Sequence, residues 1–352
     1  MILRCQDCGS AKHETIRMES FDLNIILKDF TEIKKENEME NLIFSLNATL
    51  PIFFTMMLGW FFHKVGLMDD GFIKKMNKFV FQAALPVLVF QDLATVDFFE
   101  VWDTKFVLFC FFATLLSILG VTALSYLLKD RSIQGEFIQA SYRSSAAILG
   151  IAFIQNIYGN SGMAPLMIVA TVPLYNIMAV TVLSVMKPQS EKMNRKLIMK
   201  TLYGIMTNPI LIGILCGILW SVLKLPMPII LEKTVKNVSV LATPLGLMAM
   251  GGSFRLSQAA GKLKPAILAS VIKLVGLASI FLPVAVRLGF THDKLIAILV
   301  MLSSATTVSS FIMAKNMGHE GTLTSSTVMF TTLFSAFTLT GWLFLLRTLQ
   351  LI

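Results

Sequence analysis

The chain has 352 residues, 55% of them hydrophobic and 14% charged, with a mean hydropathy of +0.73 and a net charge of +9. One soluble core of ordinary composition does not bury that much apolar surface, so the chain reads as an integral membrane protein. The positive charge does not point to nucleic acid, because Lys and Arg fall in short loops between apolar runs, where they set membrane orientation.

Residues 1–38 are hydrophilic and lack the apolar stretch of a signal peptide. Cys5-x-x-Cys8 with His13 has the spacing of half a zinc site, but no second pair follows, so chance spacing stands beside that reading. Lys35-Glu36 ahead of Met39 is encodable by a purine-rich ribosome-binding sequence, which makes Met39 the expected native start; the intact mass of natively expressed protein tests this. Cys110 and Cys216 fall within apolar spans, so no disulfide framework is expected.

From there on, uncharged runs recur at 41–62, 106–128, 144–186, 201–223, 237–254, 295–314 and 322–346. Roughly 20 apolar residues cross the hydrocarbon layer as a helix. Three further spans are less clean, about 76–96 with Asp92, 137–158 with Arg143 and 265–286 with Lys273. The expected fold is an all-α membrane protein of ten transmembrane helices.

The two halves echo each other. Pro51 and Pro209, Gly59 and Gly217, Lys78 and Lys236, and Pro86 and Pro244 are each 158 positions apart. Ser144-Ser145-Ala146 with Gly159 and Gly162 returns 159 positions later as Ser303-Ser304-Ala305 with Gly318 and Gly321. Pro and Gly perturb helices, so their recurrence at matching points of the hydropathy pattern implies two five-helix repeats, 39–186 and 201–352. The linker 187–200 carries five basic residues against one acidic and is expected in the cytoplasm. An odd number of helices per repeat inverts the second repeat relative to the first. Both native termini of this multi-pass inner-membrane protein are then extracytoplasmic.

Polar interruptions at matching places in two halves mark a transporter's binding site. Arg143 lies roughly two turns into helix 4; it either snorkels to the interface or anchors an anion on its way to the membrane centre. Ser144, Ser145 and Gly150 in helix 4, and Thr306, Thr307, Ser309 and Ser310 in helix 9, form two polar patches. They serve either as small-residue packing or as the site. If both helices are broken where they cross, two N-terminal half-dipoles aim at the centre and favour a carboxylate. Gln155, Asn156, Lys315 and Asn316 follow these patches near the helix ends, as solvated caps or site residues. Asp92, near the outer end of helix 2, either carries a coupling proton, neutralises a cation or is structural. Lys273 and His292-Asp293 read mainly as interfacial. H-E-x-x-H, G-x-S-x-G and P-loop patterns are missing, as is an acidic metal cluster, so neither catalysis, a cofactor nor a nucleotide-driven step is expected.

Four segments resemble the bacterial branch of the auxin efflux carrier family. They are Ser141-Tyr-Arg-Ser-Ser-Ala-Ala-Ile-Leu-Gly-Ile-Ala, Ala84-Leu-Pro-Val-Leu-Val-Phe, Ala242-Thr-Pro-Leu-Gly-Leu-Met-Ala-Met-Gly and Ser309-Ser-Phe-Ile-Met-Ala-Lys-Asn-Met-Gly. The resemblance covers nearly all of 39–350. It implies two inverted five-helix repeats with helices 4 and 9 crossing as broken helices, a scaffold of helices 1, 2, 6 and 7, and a moving transport domain. It also implies organic anions, auxin in plants and dicarboxylates such as malonate or malate in bacteria. Two departures stand out. Plant members often carry Pro at the crossing, where this chain has Gly150 on one side and only a Ser/Thr run on the other; and the Asn of the plant-type helix 4 has no equivalent before Asn156, which argues against auxin.

The resulting expectation is a secondary active transporter that moves a small mono- or dicarboxylate by an elevator-like, alternating-access mechanism. Its partners are the anion, the lipid bilayer, a proton or sodium ion for coupling, and a second copy in a homodimer. The alternatives are a sodium-coupled symporter or cation/proton antiporter of the same topology and, behind these, a membrane-embedded enzyme.

Overall fold

The computed structural model describes residues 43, 46–47, 50–95, 102–146, 154, 157, 162–186, 199, 203–255 and 260–352; among them are helices and turns but no strand. The 1–38 extension and nearly all of the 187–200 linker lie outside the described residues.

Helix α1 covers 50–64. The second span is two pieces, α2 (Asp70–Phe79) and α3 (Leu85–Ala94), joined by a π-helical turn at Val80–Ala84. It begins before the hydropathy does because the Asp69 carboxylate accepts from the Phe72 amide at 2.6 Å and caps an amphipathic first half. Pro86 accounts for the wide turn: its ring crowds the carbonyl four residues back, and the chain relaxes by a longer-range bond from the Leu85 amide to Val80.

There follow α4 (Thr104–Ser125), α5 (Gln134–Tyr142), α6 (Ala164–Val185), α7 (Pro209–Val222), α8 (Ile229–Ser239) and α9 (Ala242–Ser253). The remainder is α10 (Leu263–Val271), α11 (Leu277–Arg287), α12 (His292–Ser303), α13 (Ser309–Asn316) and α14 (Thr322–Thr348). A second π turn, Ile272–Gly276, makes α10 and α11 one span of 25 residues. Together with α4, α6 and α14 this gives, among the described residues, four helices long and apolar enough to cross a membrane; α7 is apolar but shorter. In α4, Leu108, Phe112, Leu116 and Leu119 are exposed while Phe106, Cys110, Ala113 and Ser117 are buried. An outward face of large apolar side chains suits lipid.

The helices pack as two groups. In the first, α3 lies on α7, α2 on α9 and α8 on α3. Glycines let the backbones touch: a methyl group added at Gly213 would stand 2.4 Å from the Pro86 carbonyl oxygen, and one at Gly251 would stand 1.9 Å from that of Met56 in α1. Arg255, just past α9, ties this end together through Asp70 at 2.9 Å.

The second group packs α4 on α6, α10 on α14 and α11 on α12, with α5 and α13 among them. The buried Glu136 carboxylate in α5 accepts from the amides of Gly321 and Thr324 at 2.8 and 3.0 Å, capping the positive end of α14. At the other end, Lys294 bonds Asp103 at 2.6 Å and holds that carboxyl below the usual carboxylate range.

The glycine contacts predict a sharp contrast. Gly251→Leu or Gly213→Leu forces the helices apart and should cost about 1–3 kcal/mol or more. Gly120→Ala in α4, where an added methyl meets nothing within 4 Å, should be neutral or gain about 0.5–1 kcal/mol. Thermal melting of the purified variants in detergent measures both.

Candidate functional site

Two helices are interrupted, and the interruptions meet. The chain leaves α5 at Arg143 (φ −70°, ψ 130°) and stays non-helical through Ser145 before helix resumes at Ala146. It leaves α12 at Ser304 (φ −75°, ψ 164°) and resumes as α13 at Ser309. The Ser145 amide donates to the Ala305 carbonyl at 2.9 Å, joining the breaks through their backbones.

The first break therefore falls upstream of the expected Gly150, which, with Gln155 and Asn156, lies outside the described residues. The second needs no proline, because hydroxyls compete with the helix for the backbone. Thr331 Oγ1 accepts from the Thr306 amide at 3.0 Å, and Thr306 Oγ1 donates to the Ala140 carbonyl at 2.8 Å.

A cavity of about 290 Å³ opens beside the breaks, between the two helix groups. The first group contributes Leu85, Val89, Ile210 and Asp92, and the second contributes Arg143, Ser144, Ser145, Thr306, Thr307 and Ser309. Most of the residues singled out in the sequence thus share one space. Ser310 does not line it: that residue is fully buried, and its carbonyl accepts from Gln139 Nε2 at 2.9 Å. Lys315 and Asn316 sit at the far end of α13, bonded to the carbonyls of Glu320 and Ile312 at 2.9 and 2.8 Å. Asn316 also donates to the Asn77 carbonyl of α2 at 3.2 Å, so both act there as structural ties.

Arg143 is 3% exposed, so it does not snorkel. Its Nη2 donates to Asn176 Oδ1 and Ser309 Oγ, both at 2.9 Å, and Nη1 meets the Met313 sulfur. Its Nε has no partner, and no carboxylate pairs with it among the described residues. A buried cation held only by neutral groups is costly unless an anion completes it. The positive end of α13 starts at the same place and adds a favourable dipole, its Ser310 and Phe311 amides already bonded to the Thr307 and Val308 carbonyls. Asp92 is the cavity's one carboxylate among the described residues and makes no hydrogen bond to them.

The interfacial reading of Lys273 is overturned. Its side chain is fully buried, and Nζ donates to Ser144 Oγ and to the Leu302 carbonyl, the latter at 2.6 Å. Hydropathy reports that a lysine lies within a span but not which way it faces, and the π turn Ile272–Gly276 re-aims it inward. Tyr175 and Asn176 of α6 also line the cavity and were missed. An amide inside an otherwise apolar span was the available signal.

A family model described as "Membrane transport protein" matches residues 44–343. No curated protein matches the chain.

If an anion completes Arg143, Arg143→Lys and Arg143→Gln should both weaken binding of a small carboxylate to purified protein. The expected loss is about 1.5–3 kcal/mol, roughly 10- to 100-fold, because the planar two-pronged contact is gone. Normal affinity in a folded Arg143→Gln variant would reject the anchor role.

Proposed function

Because this chain belongs to the auxin efflux carrier family of membrane transport proteins, we propose that it is a secondary carrier for a small mono- or dicarboxylate, with the substrate bound between the two helix breaks. The observation that carries this reading is Arg143, a buried guanidinium with an unused Nε and no acidic partner among the described residues, facing a cavity between two helix groups. The hydroxyls of Ser145, Thr307 and Ser309 are neutral hydrogen-bonding groups around it, suited to a carboxylate that brings its own charge.

The inverted-repeat architecture draws support from packing as well as sequence. A methyl group at Gly59 would clash with the Met248 carbonyl, and one at Gly217 would clash with that of Phe90; both members of the second pair are offset by 158 from members of the first. The same two-fold relation connects the breaks after α5 and α12. In this reading repeats 39–186 and 201–352 are joined by a cytoplasmic linker. The group containing α3 and α7 is the scaffold, and the group carrying both breaks moves against it as an elevator. Scaffold residues at the cavity are mainly apolar, such as Leu85, Val89 and Ile210, and make few directional bonds that sliding would break. Asp92, on the scaffold side and without a partner among the described residues, is the candidate proton carrier for coupling.

Proteoliposome uptake of labelled mono- and dicarboxylates, with and without proton or sodium gradients, tests the proposal. Saturable uptake of at least one carboxylate, lost in Arg143→Gln, is the expected result. No flux of any anion would remove it.

A further inference from the structure

The crossing holds a second buried cation that the anion site does not use. Lys273 lies in the widened turn Ile272–Gly276 and is wholly enclosed. Its Nζ meets Ser144 Oγ, the Leu302 carbonyl at 2.6 Å and the Met301 carbonyl at 3.3 Å.

Its oxygen surroundings suit the charged form. The two carbonyls only accept, and the single Ser144 hydroxyl proton is already donated to Met301. Ser144 can therefore only accept from Lys273. Three oxygens around one nitrogen match the three N–H donors of an ammonium ion.

No carboxylate offsets this charge among the described residues. The ionisable groups near it are Arg143, adjacent to Ser144, and Tyr175, whose hydroxyl bonds the Met301 carbonyl at 3.2 Å. Neither supplies a negative charge. What holds the ammonium is the last turn of α12, where carbonyls left open by the break carry the negative end of the helix dipole, together with a serine hydroxyl. Two main-chain carbonyls and a hydroxyl at an unwound helix end are the hard oxygen donors that coordinate sodium in broken-helix carriers.

We propose that the Lys273 ammonium is a tethered cation filling an alkali-ion site at the α12 break, so that this protein carries permanently the charge that a bound sodium or potassium ion would supply. The interpretation of that charge as the coupling ion's substitute rests on the carrier reading above; the binding site itself does not. Two consequences follow. The intact protein has no use for an alkali ion at this position, and shortening residue 273 opens the oxygen cluster to one.

The test is thermal melting of purified protein in choline, lithium, sodium and potassium chloride at matched ionic strength. The unaltered protein should melt at the same temperature in all four. Lys273→Ala should melt lower in choline and regain several degrees in at least one alkali chloride, increasingly with concentration, because an ion that binds only the folded state stabilises it by mass action. The double variant Lys273→Ala, Ser144→Ala, which lacks one donor, should require a higher concentration for the same recovery. An alkali-specific rise in the unaltered protein, or a Lys273→Ala protein indifferent to all four salts, overturns the proposal. If Lys273→Ala is too unstable to purify in choline, the readout becomes the yield of monodisperse protein extracted in each salt. Rescue by an alkali chloride supports the proposal, and equal loss in every salt overturns it. Melting does not depend on anion flux, so failure here and failure of the uptake experiment are distinguishable.

Discussion

A helix that stops inside a membrane leaves backbone donors and acceptors with no water to receive them. This chain stops two helices, at Arg143 and at Ser304, and the surrounding structure is arranged to satisfy what those breaks expose. The Ser145 amide pairs with Ala305, the Thr306 amide with Thr331, and the Met301 and Leu302 carbonyls with Ser144, Tyr175 and Lys273. Even the π turn that carries Lys273 takes part, since the Leu274 carbonyl accepts from Ser303 Oγ and Trp342 Nε1. Breaks supported from several helices hold polar groups at membrane depth in fixed positions, as a binding site requires.

The packing around the breaks differs in kind on its two sides. The group containing α3 and α7 is held by direct backbone contact at glycines, which leaves little freedom within it. The group containing the breaks is joined by polar ties, among them Glu136 on the start of α14 and Gln139 on the Ser310 carbonyl. Between them the cavity wall is mostly apolar on the first side and polar on the second. Bonds are therefore concentrated within each group and sparse across the cavity, the pattern a rigid-body displacement needs.

The charges follow the same division. Arg143 and Lys273 both belong to the breaks and both find only neutral partners among the described residues, whereas Asp92 stands on the opposite wall. The two cations are not equivalent. Lys273 meets three oxygens, while Arg143, which lines the cavity, keeps a buried Nε without a hydrogen-bond partner. Hydrogen-bond saturation, more than charge, separates a group that completes the structure from one that awaits a ligand.

The sequence by itself determined that the chain lives in a membrane, because its apolar content leaves no other way to bury it, and it placed Arg143, Ser144, Ser145, Thr306, Thr307 and Ser309 among the residues of interest, because polar and small residues within long apolar runs carry a physical cost that needs a reason. The Pro and Gly echoes at 158 positions were legible for the same reason: residues that disturb helices stand out against any hydropathy background. Only the tertiary structure decided how these residues are used. It placed a break at Arg143, upstream of Gly150, set Ser310 and Lys315 aside from the cavity, and turned Lys273 from the interface to the crossing. Each of those outcomes depends on which way a side chain faces and which distant carbonyl or amide it meets; hydropathy along one chain carries depth in the membrane but not direction, and direction is fixed only when helices from both halves pack together.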